Sequence, residues 1–335
     1  MSEYREFYLC ERDNLLQNEE VQGQDPYERA VYTTWRLSYD KLNTSARSLL
    51  QICSMLHHEG ISEQMFKKAA LSQLQLEDSE LQNEVTRLLN YLGKQDSGWR
   101  SWDFRQVIKS LGSYSLIEYD HQNHTYSIHP LVQHWSGTTI EENKQIMQKC
   151  VLTIIGLSIA WMFNEEDYRY RRTLLQHISN SIVLINIEEV PSAILNQIEL
   201  VYYEQGHWKE AEALGRLVME KSKEVLGDNH PDTLTSMANL ASTYWNQRHW
   251  TQAEALEVVV MEKRKEVLGD NHPSTLTSMA NLASTYRKQG HWTQAEALEV
   301  VVMEKRKEVL GDNHPDTLTS MANLASTYRD RKSVV

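Results

Sequence analysis

The stretch Gly227–Tyr244, GDNHPDTLTSMANLASTY, decides the fold, because it recurs unchanged at Gly311–Tyr328. A near-copy with Ser274 in place of Asp232 lies between them at Gly269–Tyr286, so the period is 42 residues. Trp208, Trp250 and Trp292 fall on the same period. Self-similarity at this spacing is the signature of a helical-repeat array, in which each unit buries its apolar face only by stacking on its neighbours. Such arrays present an extended surface to partners. The class expected is therefore an interaction protein rather than an enzyme.

Each unit divides into two helices. The first is expected over Pro231–Asn246, since proline suits the first helical position and Asp232 the positive N-terminal end. The second is expected from Thr251, with Thr251 and Glu254 forming a capping box repeated by Thr293 and Glu296. It should run to about Leu268, where Gly269 ends it. Leu234, Met237, Leu240, Ala241 and Tyr244 share one face of the first helix, and the small Ala241 meets the small Ala253, as suits two closely packed antiparallel helices. The opposite face would line a groove. It supplies the candidate partner-binding residues Thr235, Ser242, Trp245 and Asn246, then Thr277, Ser284, Arg287 and Lys288, with Asn239, Asn281 and Asn323 on its flank. The three amides could bond a peptide backbone or lock neighbouring helices together. The two complete units, Gly227–Leu268 and Gly269–Leu310, differ at four places: Asp232/Ser274, Trp245/Arg287, Asn246/Lys288 and Arg248/Gly290. Three of these cluster at the end of the groove-facing helix, which is the pattern expected of a scaffold copied with change at its binding edge.

Upstream, residues 1–25 are polar. Apolar residues at helical spacing then predict helices over Tyr27–Leu42, Ala46–His57 (capped by Thr44 or Ser45 and ended by Gly60), a short one after Ser62 through Ala70, Ser79–Leu92 and Asp103–Leu111. The period changes to two at Ser115–Asp120 and His124–His129, which read as a β-hairpin. Pro130 opens another helix. Short helices followed by a hairpin describe a winged-helix domain. The cluster Arg169–Arg172, RYRR, reads as a solvated helix face with its charges satisfied locally. The net charge of −12 argues against a nucleic-acid surface, and the candidate recognition helix offers only Arg105 and Lys109. Three scattered cysteines, Cys10, Cys53 and Cys150, give neither a zinc pair nor a disulfide framework and fit a reducing, cytoplasmic setting. Six of the 13 histidines belong to the repeat and sit 42 residues apart, so no metal site is expected. The uncharged run Cys150–Asn164 falls short of the roughly 20 residues a spanning helix needs and reads as a buried helix.

The repeats resemble the tetratricopeptide repeat in its long form, as in kinesin light chains, except that Glu257 and Glu299 stand where an aromatic is usual. Three passages extend the resemblance: YERAVYTTWRLSYDKL with LLQICSMLHHEGISEQMF (Tyr27–Leu42, Leu49–Phe66), YSIHPLVQHW (Tyr126–Trp135) and the repeat wording AEALEVVVMEKRKEVLGDNHPDTL. Together they resemble the C-terminal part of fungal NB-ARC–tetratricopeptide proteins, the NOD-like receptors of the STAND class, for which the two glutamates are normal. The resemblance implies an NTPase domain ahead of the winged helix and makes His129 the match to a histidine that contacts ADP. No GxxxxGK[ST] phosphate loop occurs in this sequence, and Gly93–Lys94 lacks both the preceding glycine and the following hydroxyl; His129 then reads as a helix-entry residue. The array also stops after one helix of a further unit, so a chain shortened at both ends is expected. The fold expected is all-α: a winged-helix domain with a small β-hairpin (26–140), a helical linker region (141–197), an α-solenoid of 42-residue repeats (198–328) and a tail (329–335). The function expected is a non-enzymatic scaffold with a protein or peptide in the repeat groove, full-length relatives as further partners, and no cofactor, metal or membrane. A kinesin-light-chain-like cargo adaptor and a winged-helix DNA-binding regulator are the alternatives.

Overall fold

A computed structural model of the chain describes residues 35–140, 144–162 and 164–332. The segment 1–25, the first part of the helix expected over Tyr27–Leu42 and the last residues of the tail lie outside them. Contacts gather the chain into two compact units, Met1–Ala160 with Gln176–Ile187, and Trp161–Leu175 with Glu188–Val335. This division differs from one at residues 140 and 197: part of the expected linker packs into each unit.

In the first unit, residues 35–41 are helical and α1 spans Thr44–Cys53. Its cap is Asn43, whose side chain accepts from the Ala46 amide at 2.9 Å, rather than Thr44 or Ser45. Ser62 caps α2 (Glu63–Ala70) as expected, and Asp78 caps α3 (Ser79–Leu92). Gly93 follows with φ +132°, and a Cβ there would lie 2.8 Å from the Arg100 carbonyl oxygen, so only glycine fits. A small hairpin the sequence pattern did not announce, β1 (Lys94–Gln95) with β2 (Gly98–Trp99), leads into α4 (Ser101–Gly112). The expected hairpin is present but shorter: β3 (Glu118–Asp120) pairs antiparallel with β4 (Thr125–Ser127), Tyr119 opposite Tyr126, and Ile61 bridges to Tyr126 from the other side. Then come α5 (Pro130–Thr138) and α6 (Lys144–Leu157). Every residue of α6 from Cys150 to Leu157 is buried, and the helix packs on α2 and α3. That packing accounts for the uncharged run. Among the described residues no helix is long and apolar enough to cross a membrane.

The end of α7 (Glu165–Ile182) completes this unit. His177 is 1% exposed. Its Nδ1 accepts from the His57 amide at 3.2 Å, so the proton is on Nε2, which donates to the Gly60 carbonyl at 3.1 Å. The ring is thus used as a neutral group at both nitrogens, and burial holds its pKa down to about 4.

The second unit is an array of paired helices: α8 (Ser192–Glu204), α9 (Trp208–Leu226), α10 (Pro231–Asn246), α11 (Trp250–Leu268), α12 (Pro273–Gln289), α13 (Trp292–Leu310) and α14 (Pro315–Lys332). Each packs on the next in sequence, which is the solenoid the period implies. The even-numbered members are the first, or A, helices of their units and the odd-numbered ones the B helices. The A helices α10, α12 and α14 begin at His-Pro. His230 Nδ1 accepts from the Asp232 amide, and His272 and His314 repeat the bond, at 3.1–3.2 Å. The expected capping box is not formed. The B helix starts one residue early, at Trp250, because the His249 amide is already tied to the Tyr244 carbonyl at 2.9 Å. Thr251 is therefore an exposed helical residue, and Glu254 accepts from Gln289 of the next A helix at 2.8 Å instead. Gly269 and Gly311 end the B helices with φ +87° and +88°. Leu234 and Met237 pack with Val260, and Leu240 and Tyr244 with Ala253, as the spacing of the apolar residues demands.

The cluster RYRR proves to be two things. Arg169 is exposed and pairs with Glu165. Arg171 is 1% exposed: its Nε and one terminal nitrogen hold both carboxylate oxygens of Glu204, at 2.6 and 2.8 Å, and the other terminal nitrogen donates to the Met162 carbonyl at 2.9 Å. This is a buried bidentate ion pair, not a solvated face.

Candidate functional site

The groove candidates fall into three groups. Thr235 and Thr277 are exposed, and their hydroxyls donate back to the Pro231 and Pro273 carbonyls at 2.8 and 2.9 Å. Ser242 does the same to Ala238, and Ser284 is half-buried. Asn239, Asn281 and Asn323 are half-buried, and their side-chain amides make no hydrogen bond among the described residues. A row of open amides at one spacing on the A-helix face offers donors and acceptors to a peptide backbone.

Trp245, Asn246 and Lys288 behave differently from groove-edge residues. Asn246 Nδ2 donates to the Tyr203 hydroxyl at 2.9 Å, and the Lys288 ammonium stands 5.6 Å from the Trp245 ring centre. Tyr203, Trp245 and Arg287 occupy one repeat position, and Asn246, Lys288 and Asp330 the next position one unit on. The positions that distinguish the repeats thus join consecutive A helices. Exchanging Trp245 and Asn246 for Arg and Lys alters this packing as well as the surface.

The glutamates at Glu257 and Glu299 are buried, 6% and 4% exposed. Burial pushes Glu257 up to about 7, against the nearby Thr285 hydroxyl, and raises Glu299 in the same way beside Thr327. Forty-two residues before Glu257 stands Gly215, and 42 before Ala241 stands Glu199. In the first unit, then, the carboxyl has moved from the B helix to the A helix and the small residue has moved the other way. The two positions face each other: a Cβ on Gly215 would lie 2.7 Å from Glu199 Oε1, so the Glu199 side chain would have to shift. Sliding the sequence back by one period reveals this pair, but the degenerate wording of Ile198–Leu226 conceals it. Gly215→Glu alone is expected to destabilise the repeats by about 1–3 kcal/mol through overpacking. Adding Glu199→Ala restores the arrangement of the next two units and should recover most of the loss. A double-mutant cycle in urea checks this, and additive effects would count against the exchange.

His129 caps α5: its Nδ1 accepts from the Leu131 amide at 3.2 Å, the same His-Pro entry that the repeats use three times. Among the described residues no group of histidine, cysteine and acidic side chains could hold a metal ion.

Residues 194–232, 233–274 and 275–316 match the tetratricopeptide repeat model. These are tetratricopeptide repeats. Residues 37–145 match a domain of unknown function, DUF7779. A nucleotide-binding leucine-rich repeat (NLR)-like protein of Hyaloscypha variabilis is 47% identical over 143 residues, which is 41% of this chain and 14% of that protein. The chain therefore spans a small fraction of that relative. Among solved structures, a putative kinesin light chain with nearly identical TPR-like repeats from Podosopora anserina aligns with 56% of this chain and 86% of its own, at 23% identity and a TM-score of 0.43. BtubC (BKLC) from P. vanneervenii aligns with 55% and 74%, at 17% identity and a TM-score of 0.42.

Proposed function

We propose that the chain is a non-enzymatic interaction module of the kind carried by fungal NLR-like proteins, acting in the cytoplasm with a protein or peptide seated on the A-helix face. The row of open amides at Asn239, Asn281 and Asn323 carries this reading. Tetratricopeptide repeats supply the scaffold class, and the NLR-like relative supplies the signalling context. Amides that bond a backbone hold an extended segment without reading its side chains, so sequence selectivity must come from other positions on the same face.

Panning a random peptide library on the immobilised full chain should enrich groove-binding peptides. Their affinity, read by fluorescence anisotropy, should fall about tenfold or more in Thr277→Arg with Asn281→Arg, which fills the middle of the face, since interface energy concentrates in a few central contacts. Peptides that bind the double variant undiminished, or a library that enriches none, would overturn the reading.

A further inference from the structure

At the first repeat the A-helix face opens into a cavity of about 180 Å³ walled by Trp161, Glu199, Tyr203, Asn239 and Ser242. Its chemistry is one-sided. Glu199 is 3% exposed and its Oε2 has no hydrogen-bond partner. Asn196, also at the wall, has a buried Oδ1 with no partner. Both unsatisfied atoms can accept, the Glu199 oxygen once its carboxyl is ionised, and the remaining wall sets Trp161, Leu200 and Tyr203 beside the polar Asn239 and Ser242. The aromatic wall is held in place: the Tyr203 hydroxyl accepts from Asn246, and Arg171 holds the Met162 carbonyl next to Trp161.

The internal copies show that the fold does not require these groups on the A helix, although a buried carboxyl recurs from the B helix at Glu257 and Glu299. Where the first unit has Asn196, Glu199 and Leu200, the second has Ala238, Ala241 and Ser242, and the third Ala280, Ala283 and Ser284. Alanine serves in the same packed layer of the later units. A buried carboxyl oxygen without a partner is costly; Glu257 and Glu299 share that feature, but only Glu199 lies at the wall of this cavity. The Glu199 carboxyl borders open space.

We propose that this cavity receives a basic side chain of the groove partner, arginine in preference to lysine. The proposal deepens the interaction reading above by naming one specificity position. A guanidinium brings several donors to two waiting acceptors and a planar face to the aromatic walls. The chain carrying the side chain would run along Asn239 and Ser242, which line the cavity on the A-helix face. Burial pushes the Glu199 carboxyl up to about 8, and an arriving cation supplies the charge that draws it to the ionised form with release of its proton.

The test uses the full chain with 5-fluorotryptophan, its Trp161 resonance assigned by Trp161→Phe. Titration with N-acetyl-arginine N-methylamide should move that resonance saturably, at concentrations on the order of millimolar for so small a ligand. The citrulline counterpart, alike in shape but uncharged, should bind about tenfold or more weakly, and so should arginine to Glu199→Gln, as loss of a charge-assisted bond requires. Ser242→Leu, which fills the cavity from the opposite wall, should abolish the shift. Should Glu199→Gln fail to fold, Glu199→Ala with Gly215→Glu takes its place. An equal response to arginine and citrulline, no response to either, or an undiminished response in the Glu199 variants would overturn the proposal. Failure of the groove reading shows separately, in the panning experiment, because Thr277 and Asn281 lie outside this cavity.

Discussion

Replacing Arg171 by alanine is expected to cost the repeat unit about 3–5 kcal/mol. The guanidinium makes two bonds to Glu204 and one to the Met162 carbonyl, and Glu204 itself is only 12% exposed. Removing the arginine leaves a carboxylate desolvated and unpaired, together with a freed carbonyl. Arg171→Lys keeps the charge but cannot reproduce the fork, so part of the loss should remain. Arg171→Met with Glu204→Leu should be nearly as stable as the original, because removing both charges also removes their desolvation cost. Urea unfolding of the four proteins gives the comparison. A single variant that loses less than about 1 kcal/mol would mean that the pair is no more than an exposed ion pair in energy. A second reading separates packing from positioning. The double variant should keep its stability yet respond less to the arginine probe, since nothing then holds the Met162 carbonyl beside Trp161.

How much of this was legible in the sequence depends on how far apart the partners lie. The array was legible because its signals are local and repeated: Pro231 and Pro273 open helices, Gly269 and Gly311 close them, and Leu240 and Tyr244 meet Ala253. The helix ends were less so. Thr251 and Glu254 spell a capping box, yet the turn that ties the His249 amide to Tyr244 starts the helix one residue early and puts the threonine inside it. Arg171 could not be separated from its exposed neighbours in RYRR, because Glu204, its partner, is 33 residues away and belongs to another helix. The groove-edge interpretation of Trp245 and Asn246 read divergence between copies as freedom. Their contacts across repeats with Lys288 and Tyr203 show that a position can diverge because its neighbour in the next unit diverges with it. The cavity at Glu199 depends on Trp161, which comes from outside the repeats, so no periodicity could have indicated it.

Acidification from about pH 7.5 to about pH 5 is expected to weaken the first unit and strengthen the repeats. In the first unit His177 has its pKa held down by burial to about 4, from an ordinary 6.5. A depressed histidine favours the folded state fully above its unfolded pKa and loses that contribution as pH falls toward the folded one. The whole window is worth about 3 kcal/mol, and most of it lies between pH 6.5 and 4. In the repeats the signs reverse. Burial raises Glu199 to about 8 and Glu257 to about 7, from 4.5, and raises Glu299 in the same direction. A raised carboxyl leaves folding unpenalised below its unfolded pKa, and stability is lost as pH rises toward the folded value. Each of the first two accounts for a loss on the order of 3 kcal/mol by neutral pH. Glu212 opposes them only weakly: burial raises its pKa, but bonds from Gln247 and Arg216 outweigh that and lower it, on a half-buried group at the surface. Differential scanning calorimetry at the two pH values should therefore show two transitions moving in opposite directions. Glu257→Gln with Glu299→Gln should raise the repeat transition at about pH 7.5 and flatten its pH response, because a neutral amide carries no charge to bury. His177→Gln should flatten the response of the other transition alone. Two transitions that shift together on acidification, or a repeat transition that falls, would show that these buried groups do not titrate with the shifts their surroundings impose.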